Sequence, residues 1–484
     1  MSANAQSNTR QNIVYQLIYQ ISSILLPLVT GPIVARALGA SLLGSYNYSI
    51  SIVNYFCICS SLGIATLGTR EIGKCGENID RRTNVFWNIY YIKLIISIGI
   101  LTLYGVVFCS GLLKNIDKFL FLILIFQYLG SVFDISWLFF GVENFKVTVI
   151  KNIGIKLISL LFIVIFIRSK EDFYSYALIV SLSEFSCNVF LWYNARKYIK
   201  FSKFNWMKSK DYIKPMLILF IPAIASSLYV YLDKIILGII SESAEVGYYS
   251  SMESIINLPI AFITAITTVF YSRSVVLLSD KQEKSCIQLL NKTISMLFLI
   301  IFPCCIGLVC VSDTLVPVYF GSGYEPVSTM IKIGVLYVLF RTVRAVLKSQ
   351  ALLPREMDKQ FICAILVGGA SNIIIDIILI PLYGALGAVI GTIISDGLST
   401  GLCIYWVHNY IDVKRTMLSI IRYGIIGISM AIVIILTGLV YSGNSMLIKL
   451  LLQIGSGIIS YLTLTVCYFL VVTKGKLGDI FNHI

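Results

Sequence analysis

Residues 361–407 read FICAILVGGASNIIIDIILIP, then LYG, then ALGAVIGTIISDGLSTGLCIYWV, and across this stretch only Asp376 and Asp396 carry charge. Each run is close to the 20 or so apolar residues that a helix needs to cross a hydrocarbon core of about 30 Å. Neither run alternates apolar and polar residues with a period of two, so both read as helices and not as strands of a barrel. The same unit recurs along the chain. Fourteen spans are expected near 13–35, 44–67, 84–109, 119–141, 148–167, 174–195, 215–239, 246–272, 288–311, 327–348, 361–381, 385–407, 417–440 and 446–472.

The composition agrees with an all-α integral membrane protein: 57% of the 484 residues are hydrophobic, 13% are charged, and mean hydropathy is +0.87. A soluble domain carries roughly a quarter charged residues. The formal charge of +14 is spread through short loops, which excludes a gathered nucleic-acid surface and points to topology. Of 38 bases, 28 fall in every second loop, among them Arg10, Arg70, Lys151, Arg341, Arg344, Lys474 and Lys476. Six fall on the opposite side, among them Arg36, Lys114 and Lys449. By the positive-inside rule both termini are expected on the cytoplasmic side of the membrane. The N-terminus reads as a retained anchor, not a cleaved leader. Twelve cysteines without metal-ligand spacing, and only His408 and His483, argue against a metal site or a histidine-based catalytic dyad.

The densest basic segment, Arg196 to Lys214, lies near the middle. It divides the chain into an N-terminal lobe (1–195, spans one to six), a basic linker (196–214), a C-terminal lobe (215–410, spans seven to twelve) and a last pair of spans with a tail (411–484). Each lobe opens alike. Ala35-Arg36-Ala37-Leu38-Gly39 leads to Gly44-Ser45-Tyr46, and Leu232-Asp233-Lys234 with Leu237-Gly238 leads to Gly247-Tyr248-Tyr249. Pro27, Pro32, Pro215 and Pro222 mark the leading helices as bent. Weak repeats with interrupted helices are the signature of alternating-access transporters.

The run Pro32 to Gly39 with Gly44-x-Tyr46 resembles the first signature of bacterial polysaccharide (Wzx-type) flippases of the multidrug/oligosaccharidyl-lipid/polysaccharide exporter (MOP, MATE-like) superfamily. Asp134-x-x-Trp137-x-x-x-Gly141-x-Glu143, Leu232-Asp233-x-x-x-Leu237-Gly238 and Ile380-Pro381-Leu382-Tyr383-Gly384-Ala385-x-Gly387-Ala388 are similar to further family positions, in order. The resemblance covers nearly the whole chain. It implies two pseudo-symmetric six-helix lobes plus two C-terminal helices. It also implies transfer of undecaprenyl-diphosphate-linked oligosaccharide repeat units across the plasma membrane, for capsule, O-antigen or exopolysaccharide assembly, beside other polysaccharide-assembly proteins. Such a cargo cannot cross hydrocarbon unaided, because buried unpaired polar groups cost several kcal/mol each on transfer scales.

Ionisable groups inside spans cost about 2.5–3.5 kcal/mol each at a helix centre, so they face a cavity or a partner. The basic set is Arg36, Lys93, Lys156, Lys234 and Lys332; the acidic set is Asp134, Glu184, Asp233, Glu253, Asp376 and Asp396. For a diphosphate the useful groups are cations, and Arg36, Lys93, Lys234 and Lys332 are the substrate-binding candidates. Asp233 and Glu253 are gate candidates, with Arg36 and Asp233 expected to pair when the outer mouth is shut. Asp376 and Asp396 are candidates for a coupling proton or sodium ion, or for structural capping. No cofactor or resident metal is expected. Gly368, Gly369, Gly384, Gly387 and Gly391 give spans eleven and twelve the small-residue spacing of close packing.

A multidrug antiporter or a lipid II flippase of the same superfamily would share these spans. A polysaccharide polymerase or ligase needs a sizeable external loop with catalytic groups, and no external loop expected here exceeds roughly fifteen residues, the length above which structureless loops become uncommon. The chain therefore reads as a transporter and not as an enzyme.

Overall fold

The computed structural model describes residues 3–110, 116–203 and 205–472. Lys114, Lys474, Lys476 and the C-terminus, whose side of the membrane the charge count assigns, lie outside the described residues. The helices are α1 (Ala3–Ser61), α2 (Ile64–Gly73), α3 (Ile79–Ser110), α4 (Lys118–Ile123), α5 (Ile125–Phe133), α6 (Ser136–Gly141), α7 (Phe145–Phe166), α8 (Phe173–Ala195) and the short α9 (Trp206–Ser209). They continue with α10 (Ile213–Ile240), α11 (Ser243–Ser279), α12 (Glu283–Tyr319), α13 (Glu325–Leu347), α14 (Asp358–Tyr383), α15 (Ala385–Val407), α16 (Val413–Val440) and α17 (Met446–Val472). Among the described residues there is no strand.

Every expected span falls on helix, and eleven stretches are long and apolar enough to cross a membrane. The eleven and the expected fourteen differ at three places. Residues 25–73 form one long apolar stretch where two spans were expected, and α10 and α13 are not among the eleven.

The breaks fall where side-chain chemistry dictates. α1 runs on through Pro27 and Pro32, and its one non-helical residue is Gly39, at φ 77° and ψ 170°, a region open to glycine. The fourth expected span is three pieces. Asp117 caps α4 by accepting from Phe119 N at 2.9 Å and Leu120 N at 3.1 Å. Asp134 turns extended after α5, and its Oδ1 accepts from Ser136 N at 2.9 Å to start α6.

Contacts divide the chain into two compact units, Met1–Gly247 and Tyr248–Ile484. In the first, the core gathers Ile64, Leu67, Phe86, Trp137, Leu138 and Leu191. The Trp137 ring stacks on Phe86 with centroids 5.0 Å apart and lies on Gly68, where an added Cβ would come within 2.3 Å of the indole. Gly141 gives the same closeness to Ile72, so the Asp134–Gly141 motif locks α6 onto α2. Gly44 and Gly247, the matched glycines of the two opening motifs, meet directly: a Cβ on Gly44 would fall 2.8 Å from Gly247 N. The basic segment is not slack chain. Trp87 Nε1 donates to Lys200 O at 2.7 Å, Lys200 N to Thr83 Oγ1 at 3.1 Å, Tyr91 Oη to Ser202 O at 3.2 Å and Ser209 Oγ to Asn88 Oδ1 at 3.0 Å. It is a strap along α3. The unit runs past that strap to include α10, which packs on α1 and α2.

In the second unit α14 and α15 form the tightest pair. Gly384 makes the turn at φ 56° and ψ −133°, which a side chain would strain. A Cβ on Gly387 would lie 2.4 Å from Leu379 O. The last two helices are tied to α12: Ser295 and Ser419 hydroxyls bond at 2.9 Å, and Tyr461 Oη donates to Leu299 O at 2.7 Å. Apolar side chains such as Ile425, Ile428, Leu439 and Ile459 stand exposed along α16 and α17, as lipid-facing surface does. All twelve cysteines are single thiols.

Packing around Trp137 is open to a direct check. Gly68→Ala is expected to destabilise the detergent-purified protein by about 1–3 kcal/mol through overpacking. Gly99→Ala, which meets nothing within 4 Å, is expected to leave thermal unfolding unchanged or slightly raised.

Candidate functional site

Each unit buries its own cluster of charge. In the first, Lys93 on α3 is only 2% exposed, and its Nζ donates to Asp134 O at 2.8 Å. That carbonyl is released by the helix break, as is Phe133 O, which accepts from Trp192 Nε1 at 2.9 Å. Beside the break lies a cavity of about 220 Å³ lined by Asp134, Ser136, Lys151, Asn152, Glu184 and Asn188, among others. Lys151 Nζ donates to Asn188 Oδ1 at 3.2 Å. The sequence counted Lys151 as a loop base. It is instead buried in α7, because α8 supplies a polar partner there. Asp134, which opens the Asp134–Glu143 motif, and Glu184, an intramembrane acid, share this cavity.

Arg36 is exposed on α1, three residues before Gly39, and Lys156 is half-buried on α7. Asp233 is buried on α10 with half-buried Lys234 beside it. The second arm of α1 reaches this region through Tyr55, whose Oη donates to Ser227 O at 3.4 Å and whose ring meets Tyr231 edge-on at 6.0 Å. Asp233 acts electrostatically on Tyr55.

In the second unit Asp396 on α15 has no exposed surface. Arg341 Nε lies 2.9 Å from its Oδ2, and Arg344 Nη2 lies 2.6 Å from its Oδ1. Both arginines had been counted as loop bases. They are on α13 three residues apart, hence on one face, and that face packs on α15. The signal in the sequence was the pair Arg341-x-x-Arg344 inside an apolar run, opposite an acid that needed a partner. The Arg341 guanidinium also lies over the Tyr337 ring at 4.8 Å, and the charge of buried Glu253 on α11 reaches it.

The remaining acid and the last lysine are elsewhere. Asp376 on α14 is fully buried, its Oδ1 against the Cα of Gly391, where an added Cβ would fall 2.1 Å away. Asn372 Nδ2 is near the same point, 3.6 Å from it, and Thr392 Oγ1 bonds Tyr249 Oη at 3.1 Å. Lys332 has a carboxylate partner: its Nζ is 2.7 Å from both oxygens of Asp313, in a pair whose side chains are 37% and 70% exposed. Among the described residues, no three His, Cys, Asp or Glu side chains are grouped to hold a metal ion.

The two kinds of ion pair differ in energy. Removing one partner of a buried pair costs about 3–5 kcal/mol, whereas an exposed pair contributes about 0–1 kcal/mol. Asp396→Ala is therefore expected to lower the thermal midpoint sharply, and Asp313→Ala to leave it near wild type. Equal effects in a thermal-unfolding assay of the purified proteins would refute this ranking.

Comparison with known proteins agrees with this architecture. A protein of Escherichia coli (strain K12), whose name places it in O-antigen transport, is 25% identical over 410 residues, covering 83% of this chain and 97% of its own. A Haloferax volcanii protein named for flippase action in low-salt glycan biosynthesis is 21% identical over 280 residues, covering 57% of this chain and 55% of its own. Among solved structures, lipid II flippase MurJ in an inward closed conformation superposes with a TM-score of 0.75 at 16% identity, covering 95% of this chain and 100% of that one. An inward-facing multidrug resistance MATE family transporter of the MOP superfamily gives 0.58 at 12% identity, covering 84% and 98%. The family described as polysaccharide biosynthesis protein matches residues 9–273, more than half of the chain, and with a MurJ- and MATE-like helical fold in hand, this chain belongs to that family.

Proposed function

We propose that the protein is a flippase that moves undecaprenyl-diphosphate-linked oligosaccharide repeat units from the inner to the outer leaflet of a bacterial plasma membrane by alternating access, with both termini cytoplasmic. The observation that carries this reading is the burial of cations in each unit of a MurJ-like fold: Lys93 and Lys151 around the break at Asp134, and Arg344 with half-buried Arg341 on Asp396. A diphosphate brings several negative oxygens, and lysine or arginine hydrogen bonds to such oxygens are among the strong ones. Lys93 holds a backbone carbonyl, a partner that an anionic head group outcompetes.

Ion coupling is assigned to Asp376, with Asn372 near it, as the place for a sodium ion or a proton. Arg36 and Asp233 are the proposed gate pair; a charge swap at both positions should recover transport lost in either single reversal. Failure to recover any would end that assignment.

The test of the function is leaflet transfer in proteoliposomes. A fluorescent undecaprenyl-diphosphate oligosaccharide, scored with an impermeant quencher, is expected to cross, while a cationic dye and lipid II are not. Loss of a charge-assisted hydrogen bond is worth about 1.5–3 kcal/mol, so Lys93→Ala is expected to slow transfer roughly ten- to hundredfold with normal accumulation. Dye movement on a proton or sodium gradient without glycolipid transfer would make the protein a drug antiporter. Transfer of lipid II alone would make it a peptidoglycan-precursor flippase.

A further inference from the structure

The end of α16 that carries Lys414, Arg415 and Arg422 encloses a second polar space, separate from the charge clusters above. A cavity of about 250 Å³ lies between α12 and the first turns of α16, lined by those three bases together with Asp412, Ser295 and Ser419. Its frame is built from fixed hydrogen bonds. Asn291 on α12 accepts from Asp412 N at 2.7 Å and donates to Tyr410 O at 3.1 Å, which pins the chain entering α16. Asp412 then caps the helix by accepting from Arg415 N at 2.9 Å. One wall is the buried Ser295–Ser419 pair, a polar surface inside an otherwise apolar helix contact.

The charge of the lining is two positive in excess, three bases against Asp412. Arg422 begins about two and a half turns into α16, and its guanidinium lies 4.9 Å over the Tyr468 ring of α17, which holds it at the cavity. Between and beyond the bases, α16 is apolar and exposed at Met417, Leu418, Ile421, Ile425 and Ile428. A compact anion alone would use the bases and leave this stripe unexplained. An amphiphile uses both, since its phosphate accepts from the arginine forks while its chains lie along the stripe.

We propose that this cavity binds the head group of an anionic glycerophospholipid, with the acyl chains against the exposed face of α16. Basic pockets between membrane helices hold such head groups at the cytoplasmic leaflet, which is the side to which the charge pattern assigns this end of α16. The site lies wholly within one compact unit, so lipid occupancy would brace the α12–α16–α17 packing throughout a transport cycle.

The experiment is native mass spectrometry of the full-length protein in detergent, titrated with dioleoyl-phosphatidylglycerol or dioleoyl-phosphatidylcholine. Retention of the anionic lipid is expected to be at least tenfold tighter. The triple variant Lys414→Ala, Arg415→Ala and Arg422→Gln is expected to bring it down to the zwitterionic level. If the triple variant does not purify as a single folded species, Arg422→Gln alone is expected to weaken retention severalfold with the thermal midpoint unchanged. Equal retention of the two lipids, or unchanged selectivity in the variants, overturns the proposal. Displacement by millimolar inorganic phosphate would identify a free-anion site, and displacement by equimolar undecaprenyl diphosphate would identify a cargo-loading site; either result overturns the phospholipid assignment.

Discussion

Inside hydrocarbon a backbone carbonyl that leaves its helix has no water to turn to, and much of this molecule is arranged around that constraint. The break at Asp134–Ile135 exposes Phe133 O and Asp134 O, and each receives a donor from another helix, Trp192 and Lys93. Asp134 repairs the other side of the break with its own carboxylate. A charged residue thus serves twice, as the stitch in a broken helix and as a wall of the cavity beside it. The break at Gly39 relies instead on a backbone conformation that only glycine takes readily.

The second unit meets the same constraint with side-chain charge. Asp396 without solvent needs counter-charge, and α13 brings two guanidiniums to it. Such an arrangement is weak evidence for stability, since the desolvation of three charges offsets most of their attraction. Lys332 and Asp313 are the contrast: half in water, they pair cheaply and separate cheaply.

The fold was legible because apolar length and the lack of period-two alternation leave helices as the only solution; the expected spans fall on helical segments, of which eleven are long and apolar enough to cross a membrane. The glycine motifs were legible as close packing, and Gly387 and Gly391 do bring α15 against α14. Charge was harder. A count of loop bases treats any lysine or arginine near a span end as solvated, so Lys151, Arg341 and Arg344 were assigned to water when α8 and α15 hold partners for them. Lys332, chosen for its depth in a span, lies beside an acid nineteen residues earlier on the neighbouring helix. Depth along one helix is readable from sequence; the partner across the gap is not.

The basic strap along α3 carries seven lysines and arginines, and all but Lys214, which precedes Pro215, offer a peptide bond that a trypsin-like protease would recognise. Composition alone marks it as the obvious place for the chain to be nicked. Its backbone is nevertheless tied down by Trp87, Thr83 and Tyr91, and its Ser209 side chain by Asn88, and a protease needs several residues peeled free before it can cut. Cleavage at this strap therefore proceeds only as fast as the strap lifts off α3. The rate of nicking becomes a clock for local opening, readable on a gel without any transported molecule.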